Sequence, residues 1–143
     1  MTDALRDAAA RAERWLDGRA RLVRLARHVD ARGTLSSFDY ADLPFVPMRV
    51  FTVSAMTANT VRGGHGHRTA RQLLVCVHGR IRVRMACPPD EAVVTLEPGG
   101  PGLLIDAGVW SEQTYLEDDS VMLALCSEPF DPASYFQREH PER

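Results

Sequence analysis

The stretch Arg62-Gly63-Gly64-His65-Gly66-His67, followed at Gln72 by an apolar run, decides how the rest of this chain reads. Strand side chains alternate with period two, so two histidines one residue apart project from one face. Glycines at 63, 64 and 66 remove Cβ bulk and let backbone or a ligand approach closely. Gln72-Leu73-Leu74-Val75-Cys76-Val77, then His78-Gly79, then Arg80-Ile81-Arg82-Val83-Arg84-Met85 predicts a hairpin. His78-Gly79 is its two-residue turn, with Gly79 supplying a positive φ, and Val77 pairs with Arg80. That register puts Gln72, Leu74, Cys76, Ile81, Val83 and Met85 on one face. The other face carries Leu73, Val75 and Val77 across from Arg84, Arg82 and Arg80. The first face is the buried one, and Gln72 points inward with the histidines.

Working outward, the segment from Leu22 has period two, with Val23, Leu25 and Val29 alternating with Arg24, Ala26 and His28. Asp30-Ala31-Arg32-Gly33 is a turn and Thr34-Leu35 opens the next strand. Leu43-Pro44-Phe45-Val46-Pro47 is a stiff connector, and Arg49 to Ser54 is a strand with Arg49, Phe51 and Val53 on one side. Beyond the predicted hairpin, strands are expected at Ala92 to Leu96, Leu103 to Ile105, Trp110 to Tyr115 and Val121 to Cys126. The last of these is apolar on both faces and belongs inside a sheet. Asp131-Pro132 reads as N-cap and N1 of a short C-terminal helix running through Tyr135 and Phe136. At the other end, Thr2 to Leu16 reads as a helix with an apolar stripe, stopped at Asp17-Gly18. Short strands at regular spacing with Gly/Pro turns predict an antiparallel all-β sandwich or barrel. The expected organisation is a helical extension over 1–21 and a single domain over 22–143.

At 143 residues with a formal net charge of -2 and dispersed arginines, the chain does not suggest binding to nucleic acid or to a membrane surface. It has neither an apolar run of membrane-spanning length nor a signal-peptide core. The three cysteines are odd in number and lack metal or redox spacing, which points to a reducing, cytoplasmic setting.

The spacing His-x-His, then Gln72, then Gly79 resembles the first metal-binding motif of the cupins, with Gln72 where a glutamate ligand usually stands. The later cupin motif, ending in histidine, reads Asp106-Ala107-Gly108-Val109-Trp110-Ser111 here. A neutral amide and a hydroxyl are poor donors for a transition metal, so no metal is expected. More of the chain is similar to the TDP-4-keto-6-deoxyglucose 3,4-ketoisomerases. The similar runs include Asp30-Ala31-Arg32-Gly33-Thr34-Leu35, Leu43-Pro44-Phe45 with Arg49-Val50, and the histidine stretch itself. They continue through Gln72 to Gly79, Gly102-Leu103, Val109-Trp110 with Glu112, and Leu123 to Asp131 with Tyr135. The likeness covers about residues 22 to 137.

The resemblance implies a metal-free cupin, an antiparallel double-stranded β-helix (a jelly roll). It also implies a homodimer in which N-terminal strands join the partner's sheet. The implied reaction moves a carbonyl from C4 to C3 of a TDP-linked keto-deoxysugar, with no cofactor. Such a shift takes a proton from C3, holds an enediolate and returns a proton to C4, work suited to histidine near neutral pH. His65 matches the position of the base, and His67 stands beside it to orient it or bond a sugar oxygen. Arg62 and Arg49 suit the diphosphate or the developing oxyanion, Arg32 the nucleotide, and Gln72 and Trp110 the pocket wall. Phe51-Thr52 stands where the family usually has tyrosines, and Ser111 where it has histidine. Two other readings stay open: a non-catalytic module that binds a nucleotide sugar, and a metal-dependent cupin oxygenase. The two histidines also fit a bland reading as hydrogen-bonded core residues.

Overall fold

The computed structural model describes residues 13–137. The strands are β1 (Arg14–Trp15), β2 (Ala20–Val23), β3 (Ala26–Asp30), β4 (Gly33–Ser37), β5 (Arg49–Val53), β6 (Thr60–His67) and β7 (Gln72–His78). They continue with β8 (Ile81–Cys87), β9 (Asp90–Leu96), β10 (Gly102–Ile105), β11 (Trp110–Tyr115), β12 (Val121–Cys126) and β13 (Tyr135–Phe136). One sheet runs β1-β2-β10-β7-β12-β5 and the other β13-β6-β11-β8-β9, every pairing antiparallel. Strands β5 to β12 thus occupy the two sheets in the order of a jelly roll, the all-β architecture expected. The β3–β4 hairpin forms a small sheet of its own.

Two facing sheets need apolar side chains on their inner faces, and period-two alternation supplies them. Leu74, Cys76, Ile81, Val83, Met85, Leu103, Tyr115 and Met122 interlock in the space between the sheets. A second cluster, Leu73, Val75, Leu104 and Leu125, lies on the other side of β7, β10 and β12. There it is covered by Phe38, Leu43 and Phe45 from the connector before β5. This double coverage explains why β12 is apolar on both faces.

The predicted pairing of β7 with β8 is wrong. Both edges of β7 are taken by β10 and β12, and both edges of β8 by β11 and β9. His78-Gly79-Arg80 is instead the crossing from one sheet to the other. Gly79 does have φ +79°, and buried Ser120 anchors the crossing by accepting from the Arg80 N–H at 3.3 Å. The inward face was still correct, because strands in opposed sheets bury the same alternate residues that a paired hairpin would.

The helix expected over Thr2 to Leu16 lies outside the described residues up to position 12. From there the chain is strand β1 and a tight turn, with Leu16 and Asp17 at φ +56° and +58°. Pairing of Arg14 with Arg21 and of Trp15 with Ala20 competes successfully with helix at that end. The expected division between residues 21 and 22 falls within β2. At the C-terminus the helix is one 3-10 turn, Pro132–Ser134, capped by Asp131, whose carboxylate accepts from the Ala133 N–H at 3.0 Å. Tyr135 and Phe136 then leave it as β13, pairing with His67 and Gly66.

Candidate active site

The two glycines at 63 and 64, with φ +85° and +80°, make a β-bulge in β6. Opposite them the pairing jumps, Ser111 facing His65 and Glu112 facing Gly63, so Gly64 is an extra residue. Without that insertion, Arg62 and His65 would point to opposite faces, since they are three residues apart. With it, both line one cavity of about 100 Å³ between the sheets. Its other walls come from Phe51 and Val53 of β5, Gln72 and Leu74 of β7, Ser111, Gln113 and Tyr115 of β11, and Met122 of β12.

Beside this cavity the C-terminal strand closes over the histidines. The ring of Tyr135 stacks on His65 with centroids 4.6 Å apart at 11°, and meets His67 edge-on at 4.4 Å and 73°. The two imidazoles are 5.6 Å apart at 71°. Arg49 runs alongside, its guanidinium 4.7 Å from the Phe51 ring, 4.8 Å from the Phe130 ring and 3.4 Å from the Tyr135 hydroxyl. Two aromatic faces hold an arginine in place without neutralising it, so it keeps a full charge for an anion.

Burial favours the neutral form of both histidines. His65, half-buried, has its pKa lowered by desolvation, with hydrogen bonding to the Gly63 backbone pulling the other way. His67 is buried, and its pKa falls to about 4, first through desolvation and then through the charges of His65 and Arg49, against a smaller opposing pull from Glu128. Its Nε2 is buried without a hydrogen-bond partner among the described residues. A neutral imidazole at ordinary pH can accept a proton, which a histidinium cannot.

The structure therefore brings together His65, His67, Arg49, Arg62 and Gln72, with Gln72 donating to Cys126 Sγ at 3.6 Å. It places Trp110 elsewhere. Residues 111, 113 and 115 face the cavity, so Trp110 faces the outside of that sheet, where it is covered by Arg84 at 5.2 Å. The indole is nearly fully buried there, although the family resemblance implied a place for it in the pocket wall. Arg32 sits at the tip of the β3–β4 hairpin, exposed and held to Asp30 at 2.6 Å. Arg84 pairs with Glu112 at 2.9 Å on the outer face, as expected of the alternating arginines.

Gln113, Phe130 and Tyr135 were not singled out as site residues by sequence reasoning, and Ser111 was noted only as standing where the family has histidine. The signal for the β11 pair was available: both polar residues fall on the inward parity of a strand. Among the described residues no group of three His, Cys, Asp or Glu side chains is placed to share a metal ion. Larger clefts lie elsewhere: those of about 280 and 330 Å³ that flank β2 hold none of the expected site residues, one of about 330 Å³ on the β3–β4 hairpin includes Arg32, and one of about 260 Å³ includes Trp110.

The TDP-4-oxo-6-deoxy-alpha-D-glucose-3,4-oxoisomerase of Aneurinibacillus thermoaerophilus is 28% identical over 119 residues, 82% of this chain and 86% of that protein. The crystal structure of QdtA, a sugar 3,4-ketoisomerase from Thermoanaerobacterium thermosaccharolyticum in complex with TDP, matches with a TM-score of 0.80. Identity to it is 28%, over 84% of this chain and 88% of that one. A histidine-to-asparagine mutant of the same enzyme, in complex with TDP-4-keto-6-deoxyglucose, matches equally well at 27% identity and the same coverage. The profile of one family, described as FdtA: WxcM-like, C-terminal, spans residues 19–141, every strand from β2 to the closing β13 included, and this chain belongs to that family.

Proposed function

We propose that this protein is a sugar-nucleotide 3,4-ketoisomerase, moving the carbonyl of a TDP-4-keto-6-deoxyhexose from C4 to C3 through an enediol. The observation that carries the reading is a half-buried His65, whose neutral form burial favours, on the wall of the same cavity as Arg62. His65 takes the proton from C3 and the electrons of that bond form the enediolate, with the C4 oxygen becoming anionic. Arg62 stabilises that oxygen, as a fixed cation does where negative charge develops. The proton is returned to carbon C4 while the C3 hydroxyl proton passes to the C4 oxygen, leaving a ketone at C3 and a hydroxyl at C4. Oxidation at C3 and reduction at C4 balance within one molecule, so no redox cofactor is consumed, and turnover is expected to survive chelators. His67 and Tyr135 hold the His65 ring, while Arg49 takes the diphosphate and Gln72 a sugar oxygen.

A second reading has one observation in its favour. Phe51 occupies the cavity wall where a phenol would serve proton transfer, and it offers no hydroxyl. A nucleotide-sugar-binding protein without turnover would tolerate that. Proton NMR of TDP-4-keto-6-deoxyglucose with the protein in deuterated water separates the two. Loss of the C3 proton signal with new 3-keto resonances is the expected result. Line-broadening of the ligand without exchange would leave only the binding role. The His65→Asn variant is expected to lose both exchange and isomerisation while still binding TDP.

The chain is also proposed to act as a homodimer in the cytoplasm. Val29 and Leu35 on the β3–β4 hairpin are 75% and 60% exposed, and Val50 on edge strand β5 is 55% exposed. Apolar surface of this kind is what a second copy covers. Arg32, at the hairpin tip, would then reach a nucleotide only across that interface. Val29→Asp is expected to shift the mass measured by light scattering from dimer to monomer; a monomeric parent protein would refute the assembly.

A further inference from the structure

The inward stripe of β11 is not what packing alone would select. Ser111, Gln113 and Tyr115 lie opposite Met85, Val83 and Ile81 of β8, all three completely buried. Apolar side chains at 111 and 113 would extend that core, yet both positions are polar and buried, Gln113 at 7% exposure. A buried carboxamide is retained where its hydrogen-bonding groups have partners. Gln113 is poorly provided for within the protein. Its Nε2 reaches Ser111 Oγ at 3.5 Å, the outer limit of a hydrogen bond, and its Oε1 accepts none among the described residues. The side chain nevertheless has a defined seat. It lies across Gly63, where an added Cβ would stand 2.8 Å from Gln113 Oε1, and it lines the cavity beside His65. In the β-ladder Gln113 pairs with Arg62 and Ser111 with His65, and all four line one cavity with the groups assigned to the enediolate.

An amide oxygen with no donor wants a hydroxyl or an N–H. It cannot take a phosphate oxygen, which only accepts, so the diphosphate is excluded, and in the cavity it shares with His65 and Arg62 the donor at hand is a hydroxyl of the sugar. We propose that Gln113 is a sugar-reading residue, its carboxamide oxygen accepting a hydrogen bond from a hydroxyl of the hexose ring held against His65. Ser111 sets which end of the amide faces the ligand. The inference rests on the reading of this cavity as the hexose site, and it adds a residue that determines which sugars fit.

The test is calorimetric titration of the full chain and its Gln113→Leu variant with TDP and with TDP-glucose, a stable probe with its ring hydroxyls intact. The expected result is TDP-glucose bound about tenfold more weakly by the variant, with TDP affinity changed less than twofold. Where the keto substrate is turned over, KM should rise by a similar factor. Gln113→Met, of the same length, repeats the measurement if the leucine variant does not fold, and TDP binding reports an intact site in either. Unchanged TDP-glucose affinity in the variant, or equal loss for TDP and TDP-glucose, would overturn the inference alone. So would a parent protein that binds TDP and rejects TDP-glucose. A parent protein that binds neither ligand would overturn the reading of the cavity, and this inference with it.

Discussion

Tyr135 lies flat on His65, the two rings 4.6 Å apart and inclined by only 11°. The contact ties the C-terminal strand to the proposed base, because β13 exists only through its pairing with His67 and Gly66. An aromatic pair of this geometry is worth about 1 kcal/mol beyond simple burial. Tyr135→Leu should therefore lower kcat about fivefold through loss of ring placement, with a smaller change in TDP affinity. Tyr135→Phe keeps the stack and loses only the hydroxyl near Arg49, so it should stay within about threefold of the parent rate. Equal losses in both variants, in a steady-state assay, would show that the hydroxyl and not the stack matters.

The pairing that makes β13 also depends on a missing side chain. A Cβ at Gly66 would fall inside the Phe136 ring and 2.8 Å from the Val109 carbonyl oxygen. Gly66→Ala is expected to cost ~1–3 kcal/mol in urea unfolding, the usual range for overpacking. It should also expose the end of the chain to proteolysis. A stability within about 0.5 kcal/mol of the parent, the noise of a neutral surface change, would show that β13 is not seated on Gly66.

The bulge glycines should separate strain from ligand recognition. Gly64 has open space around its missing Cβ, so Gly64→Ala pays only for its positive φ, ~1–2 kcal/mol of stability. Gly63→Ala pays the same and also displaces the Gln113 carboxamide. Thermal unfolding should show similar losses for both, while KM for the keto sugar should rise only in Gly63→Ala.

His67 should make stability depend on pH. Its folded-state pKa is about 4, below the ordinary 6.5, so the unfolded chain binds this proton more readily than the native one. Stability is then full above pH 6.5, falls as pH drops through the window from 6.5 to 4, and loses nothing further from this group below 4. The total loss is as much as ~3 kcal/mol. Urea unfolding across that window should show the slope, and His67→Gln should flatten it; an unchanged slope in the variant would assign it to other groups. His65, also lowered, contributes in the same direction.

The thiols give a simpler check. Cys76 and Cys126 are buried and free, and desolvation raises both, Cys76 to about 11. Alkylation of the native protein should mark the half-buried Cys87 first. Early labelling of Cys76 would mean that the sheets separate more readily than the packing between them implies.

The sequence by itself determined the strands of the two facing sheets from β5 to β12, their inward faces and the histidine pair, while β1 and β13 read as helix. These depend on period-two alternation and on turn residues, which are local. The runs at 110–115 and 121–126 were legible to the residue, as were Gly79's positive φ and the Asp131-Pro132 cap. The ordered likeness to a known family placed Arg49 and Arg62 among site residues before any coordinates. What only the tertiary structure decided depends on which strands meet. Alternation is the same whether β7 pairs with β8 or faces it across the core, so the sheet assignment of the two was not readable. The Gly63-Gly64 bulge reverses the parity between Arg62 and His65, and its presence is defined only by the opposing residues of β11. Trp110 and Gln113 show the same dependence. Both are nearly buried, on opposite faces of one strand, and only the second sheet determines which face becomes a cavity and which an outer wall.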